Sequence, residues 1–247
     1  MLGLGNSLSR GGVLSGLTNN YSLEFDGSND YVACGDGSGL GFSGADAFSI
    51  SAWINPDVVN ANQVVTAFGS DTGSSYEGKR VAMFLASNAK PTLAFWGNDV
   101  VSTGTISAGQ WVHLAMTFAG GNRTSANSKI YIDGVSQTLS GGTAAALDLS
   151  DMDFHHIGAD QTPDQEFNGN IDEVSIWNKE LSAGDISAIY QAKGTANLND
   201  DGNSANLQGW WRMGDGDTFP TITDNSTNSN DGTMTNMASD DIVKDTP

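Results

Sequence analysis

The stretch FNGNIDEVSIWNKELSAGDISAIY (167–190) contains two different periods in succession. From Gly169 to Trp177 the residues alternate as in a strand, with Val174 and Ile176 on one face and Ser175 and Trp177 on the other. On that period Asp172 falls on the aliphatic face and Glu173 on the opposite one. After Asn178 the period changes to helical. Ser182 can cap a helix with Asp185 three residues on, and Ile186, Ile189 and Tyr190 form one apolar stripe over 182–191.

Outward from this stretch the chain reads as strands. Tyr21, Leu23 and Phe25 share a face before the turn Asp26–Asp30, and Tyr31-Val32 resume the strand. Phe48, Ile50, Ala52 and Ile54 alternate until Pro56 stops the run. Further strands are expected at 64–68, 80–86, 92–96, 111–118, 129–132, 155–157 and 208–213, and Asp133-Gly134 has the chemistry of a tight hairpin turn. About a dozen strands and one short helix predict an all-β fold, a two-sheet antiparallel jelly-roll sandwich. Residues 1–19 are Gly/Ser/Leu-rich without a period and read as a flexible N-terminal arm. The sandwich is expected over 20–247, with 195–206 a polar linker inside it.

The 247 residues carry 10 Lys+Arg against 29 Asp+Glu, a formal charge of −19. Such a chain repels phosphate backbones and anionic lipid, so neither nucleic acid nor a membrane surface is an expected partner. Only Glu24, Glu77, Glu166, Glu173 and Glu180 are glutamates; the other acids are aspartates. Aspartate favours turns and hard-cation loops, which brings calcium into consideration. Cys34 is the one cysteine, so no internal disulfide forms. Met1–Arg10 lacks the basic and apolar regions of a secretory leader, and no apolar run approaches the ~18 residues of a membrane span.

The runs SLEFDGSNDYV (22–32), FSISAWINP (48–56), QWVHLAMTF (110–118) with KIYIDGV (129–135), and the 167–190 stretch occur in the order seen in laminin-G-like domains. The chain resembles that branch of the concanavalin A-like jelly rolls over most of 21–190. GWWRMGDGDTF and the residues up to 234 resemble the segment that usually opens such domains, but here it comes last. Residues 207–236 are therefore expected to be a permuted closing segment, with Gly209–Met213 pairing in cis beside Tyr21–Val32. The resemblance also implies that the strand bearing Asp172 pairs with the strand before Asp26–Asp30. A buried carboxylate needs partners or a metal. Asp26, Asp30 and Asp172 are thus candidate ligands of a structural calcium, the alternative being carboxylates capped by backbone N–H groups.

No chemistry of catalysis stands out. Retaining glycosidases need two carboxyls about 5–5.5 Å apart, and no strand here carries acids at i and i+4 on one face, so no catalytic residue is expected. Asn197–Gly202 imitates the start of an EF-hand loop, but its twelfth position is Gln208. It reads as linker, and the Asp/Asn-rich run 215–231 as loop. His155 and His156 point to opposite faces. Trp53, Trp96, Trp177, Trp210 and Trp211 are the remaining sugar-binding signal, although rings in sandwiches more often fill the core. The resemblance favours a non-enzymatic structural protein of a virion, a capsid decoration or fibre subunit that forms homo-oligomers and contacts other virion proteins. The alternative is a carbohydrate-binding module or adhesin with calcium-assisted glycan binding.

Overall fold

The computed structural model describes residues 16–71, 76–161 and 165–247. Two antiparallel sheets face each other. The first has the order Val135–Ser136, Ser128–Ile132, Val112–Phe118, Phe48–Pro56, Asn168–Trp177, Ser22–Asp26, Ile242–Val243, with Leu207–Trp211 also on Asn168–Trp177. The second runs Thr221–Ile222, Gly232–Thr235, Tyr31–Ala33, Phe154–Ile157, Gln63–Gly69, Arg80–Leu85, Pro91–Ala94, Val100–Ser102, Leu139–Ala146, Asn122–Thr124. Strands from distant parts of the chain interleave in both, as a jelly roll requires.

Between the sheets lies one continuous apolar core. Leu23 and Phe25, the series Phe48, Ile50, Ala52 and Ile54, and Val174 and Ile176 all point into it and are fully or almost fully buried. The strands predicted from alternation therefore form, with the alternation set by this core. Asp133 and Gly134 both have positive φ (49° and 75°) in the turn joining 128–132 to 135–136, the twist that a two-residue hairpin needs. Leu139–Ala146 was not legible as a strand, because its residues LSGGTAAA lie half-exposed or exposed and carry no alternating apolar signal.

The helix spans Ala183–Ala192 and is closed at its start by a reciprocal capping box. Ser182 Oγ accepts from Asp185 N (3.2 Å) and Asp185 Oδ2 accepts from Ser182 N (2.9 Å). Ile186 and Ile189 pack with Trp177, Leu181, Leu198, Leu207 and Trp210 on the outer side of the first sheet. The first sheet is thus covered by a third layer. Among the described residues, the second carries a smaller apolar cluster on its outer side, Val64, Ala67, Ala82, Ala94 and Phe154, each at most 5% exposed.

The tail closes the sandwich in cis, but with different pairing from that expected. Leu207–Trp211 pairs with Val174–Trp177, not with Tyr21–Val32. Gly232–Thr235 pairs with Tyr31–Ala33, and Ile242–Val243 with Ser22–Leu23. The reason is length: Asn168–Trp177 has ten residues, and one edge of it holds both Ser22–Asp26 and Leu207–Trp211 end to end. The N-terminal arm also ends earlier than read. Leu17 N donates to Thr195 O (2.7 Å), and Leu17 packs against the helix layer, so 17–19 belong to the fold. Residues 1–15 of that arm lie outside the described residues.

Cutting the chain after Gly194 removes Trp210 and Trp211, both at most 1% exposed, and bares the edge of 174–177. Such a product should be insoluble or aggregated; a monomeric fragment by size-exclusion chromatography, melting like the whole chain, would overturn this account.

Candidate functional site

The strand 168–177 does not alternate without interruption. Opposite Phe48–Pro56 its register slips between Asp172 and Ser175, and Glu173 has φ 50°. This is a β-bulge. Ile171 and Val174 both face the core, so the two residues between them both point outward. The expected shared face of Asp172 with Val174 and Ile176 is therefore wrong by one bulged residue. Asp172 is buried on the helix side with Trp53, its cross-strand neighbour.

The bulge sits where the strands 22–26 and 207–211 meet, and the chain flanking both strands converges there. Asp172 accepts from Asn19 Nδ2 (2.8 Å) and from the backbone N of Glu173 (2.7 Å). Glu173 accepts from Arg212 Nε (2.9 Å) and Trp210 Nε1 (2.6 Å). Arg212 Nη2 donates to Thr18 O (2.7 Å) and lies 3.7 Å from Asp215, which itself accepts from Asn20 N (2.8 Å). Neither Arg212 nor Asn19 was marked as a site residue in sequence, since Arg212 reaches Glu173 across 39 positions and Asn19 reaches Asp172 across 153. Asp172 and Glu173 are almost wholly buried, and burial raises both carboxyls above their usual range, Glu173 to about 7 despite Arg212.

The three expected calcium ligands do not meet. Asp26 pairs in register with Asn168, so Asp172 stands four residues further along the strand, roughly 13 Å at 3.3 Å per residue. Asp30 Oδ2 accepts from Asp26 N (3.0 Å), and Asp26 Oδ1 accepts from Ser28 N (2.8 Å), closing the turn on itself. The donor set does not fit one ion. Backbone capping, the alternative reading, is what each of these carboxylates has. The same holds for the Asp-rich tail run, where Asp224 accepts from the backbone N of Trp210, Ser226 and Asn230. Among the described residues, no three of His, Cys, Asp or Glu are grouped so as to hold a metal. The cavity bounded by Glu173, Ser51, Trp53, Ser175 and the helix layer is about 10 Å³, room for one water and not for a sugar.

On the outer side of the second sheet a buried arginine is surrounded by rings, some of them partly exposed. Arg80 begins its strand opposite Gly69, where a Cβ would come within 2.6 Å of the Arg80 backbone. Arg80 and Phe154 both pair with Gly69, one on each side, and the guanidinium carbon lies 5.9 Å from the Phe154 ring centre. It lies 4.4 Å from the Tyr76 ring and 4.7 Å from Trp96, within cation–π range. Arg80 Nη1 donates to both oxygens of Asp160 (3.0 and 2.9 Å), and Nη2 lies 3.2 Å from Asp71. His156 stands 5.5 Å from Phe154 and 4.7 Å from Tyr31, with Nδ1 3.1 Å from Asp160 O. Burial lowers the His156 pKa, keeping the ring neutral at pH 7.

A band of rings, Tyr31, His156, Phe154, Tyr76 and Trp96, thus crosses the sheet above small residues. Tyr76 is 41% exposed and Trp96 is partly exposed, whereas Trp53, Trp177, Trp210 and Trp211 are buried. Trp96 adopts φ 51°, a left-handed conformation that a bulky residue holds at a cost of about 1–3 kcal/mol. Asp99 Oδ1 fixes the turn by accepting from Phe95 N (2.8 Å) and Gly97 N (3.4 Å).

A two-sheet antiparallel jelly roll with interleaved strands belongs to the concanavalin A-like class of β-sandwiches. The comparison is specific: residues 26–187 match the laminin G model of the concanavalin A-like lectin/glucanases superfamily, and the chain belongs to that superfamily. No curated protein matches the sequence. Among solved structures it is similar to a candidate carbohydrate-binding protein from Bacteroides ovatus, with TM-score 0.64 and 19% identity over 93% of this chain and 60% of that one. The chain thus spans only part of that protein's length. The CBM40 of the Ruminococcus gnavus IT-sialidase, bound to α2,3-sialyllactose, aligns with TM-score 0.55 and 13% identity over 68% of this chain and 95% of that one. A heptameric SAP-like pentraxin from Limulus polyphemus aligns with TM-score 0.50 and 13% identity over 70% and 82%.

Because Glu173 titrates higher in the folded state, its contribution to stability is full below the ordinary glutamate value of 4.5 and is lost as pH rises through about 7. The melting-temperature advantage of the native chain over Glu173→Gln should therefore shrink across that window in a fluorimetric titration. A difference constant with pH would mean that Glu173 is charged throughout.

Proposed function

We propose that this chain is a non-catalytic carbohydrate-binding domain whose binding face is the outer side of the second sheet. The observation that carries the reading is Trp96, a partly exposed ring held in a left-handed backbone conformation and packed, like Tyr76, on Arg80. Sugars present apolar C–H faces that stack on such rings, and hydroxyls that hydrogen-bond to flanking polar groups. The similarity to carbohydrate-binding structures from Bacteroides ovatus and Ruminococcus gnavus supports carbohydrate binding over the virion-component reading.

Binding without hydrolysis follows from where the acids are. Asp172 and Glu173 are adjacent but buried beside a cavity of one water's size, out of a sugar's reach. On the open face, Asp160 is engaged by Arg80 through both oxygens. Neither place offers the free pair of carboxyls that retaining hydrolysis requires.

A glycan panel with the purified chain should give retained polysaccharides or oligosaccharides and no release of reducing ends. Trp96→Ala should weaken retention at least tenfold, about 1.4 kcal/mol, with the melting temperature reported alongside to show that the fold persists. Retention unchanged in both Trp96→Ala and Tyr76→Ala would place binding elsewhere, and turnover lost in Glu173→Gln would overturn the non-catalytic reading.

A further inference from the structure

We infer that the outer face of the second sheet selects neutral glycans and rejects acidic ones such as sialylated, sulfated or uronic-acid sugars. The inference rests on the carbohydrate-binding reading and deepens it by naming the ligand class. An arginine on a binding face ordinarily signals an anionic ligand, because its fork of N–H donors matches a carboxylate. Here that fork is already occupied. Arg80 is 4% exposed; its Nη1 donates to both oxygens of Asp160, and its Nη2 pairs with Asp71. Of the donors left, Nε is buried away from solvent, so the second N–H of Nη2 has no accessible parallel neighbour. No pair of parallel donors is left for a ligand carboxylate.

A second arginine at this face is engaged in the same way. Arg123, 3% exposed, donates from Nη1 to the carbonyl of Gly97 behind Trp96 (3.2 Å) and pairs through Nη2 with Glu77 (3.4 Å). Lys79, one residue before Arg80, adds one further positive charge, which also helps to lower the Asp148 carboxyl. Residues 72–75 and 162–164 contain no Lys or Arg. Against Arg80, Arg123 and Lys79 stand Asp71, Asp160 and Glu77, together with Asp153, which accepts from Asp71 N (3.0 Å). His156 adds no charge at neutral pH because burial lowers its pKa. The face is therefore net anionic on a chain of formal charge −19, and an acidic sugar meets repulsion with no compensating bidentate contact. Rings and saturated polar groups are what a neutral sugar uses. In this respect the chain differs from the CBM40 that was solved with sialyllactose.

The test is a panel of immobilised neutral glycans, each printed beside its sialylated, sulfated or uronic-acid derivative, probed with the whole chain at low and high salt. Neutral members should be retained and their acidic counterparts bound at least tenfold more weakly, the gap narrowing at 1 M salt, where charge is screened within about 3 Å. Asp71→Asn, which removes one carboxylate and frees Nη2, should narrow the gap at low salt. Acidic members bound as well as or better than neutral ones would overturn the inference while leaving the carbohydrate-binding reading standing. A chain that retains no member would overturn both.

Discussion

Burying a carboxylate costs several kcal/mol unless opposite charge or hydrogen bonds replace its water. The central strand Asn168–Trp177 buries two in succession, Asp172 and Glu173, at a bulge that turns both away from the core. What compensates them comes from remote sequence: Asn19 before the first strand, and Trp210 and Arg212 from the tail. The bulge also lies where one edge of the strand changes partner from Ser22–Asp26 to Leu207–Trp211. A single electrostatic requirement thereby holds the start of the domain, its middle and its closing segment in one place. Breaking a buried pair by deleting one partner typically costs about 3–5 kcal/mol, so the cluster makes the tail part of the domain and not an appendage.

The two sheets divide their outer surfaces by coverage. The first is roofed by the capped helix and the segments around Ala196–Leu207, whose Ile186, Ile189, Leu198 and Leu207 bury Trp177 and Trp210. The second keeps a thin apolar patch under Arg80, Tyr76 and Trp96. Both outer faces contribute buried area, but the second sheet leaves Tyr76 and Trp96 partly exposed, which is the basis of the proposed binding face. The arginine in that patch is neutralised in place by Asp71 and Asp160 and acts as a platform for rings more than as a charge.

Much of this protein is determined by its sequence alone, wherever the controlling interaction is local or periodic. Alternation of Phe48, Ile50, Ala52 and Ile54 follows from a side-chain period of two against a common core. The Ser182–Asp185 capping box and the Asp133-Gly134 turn close within three or four residues. Opposite orientation of His155 and His156 is geometry of the strand itself, and His155 indeed packs inward against Trp211 while His156 faces Asp160. The order of the laminin-G-like runs carried the jelly-roll assignment for the same reason, since each run is a strand with its own turn.

Only the tertiary structure decided the rest. A one-residue bulge is invisible to a periodic reading, yet it moved Asp172 to the other face and away from Asp26 and Asp30. The pairing of 207–211 with 174–177 depended on how many residues one strand edge could hold. Arg80 reads in sequence as an ordinary strand-opening cation; its capture by Asp71 and Asp160 joins residues 9 and 80 positions away. Trp96 was one of five tryptophans offered as a sugar-binding signal, and its backbone conformation and partial exposure set it apart from the other four. Long-range pairing, register slips and side-chain exposure arise from packing between segments, and no local pattern encodes which segments meet.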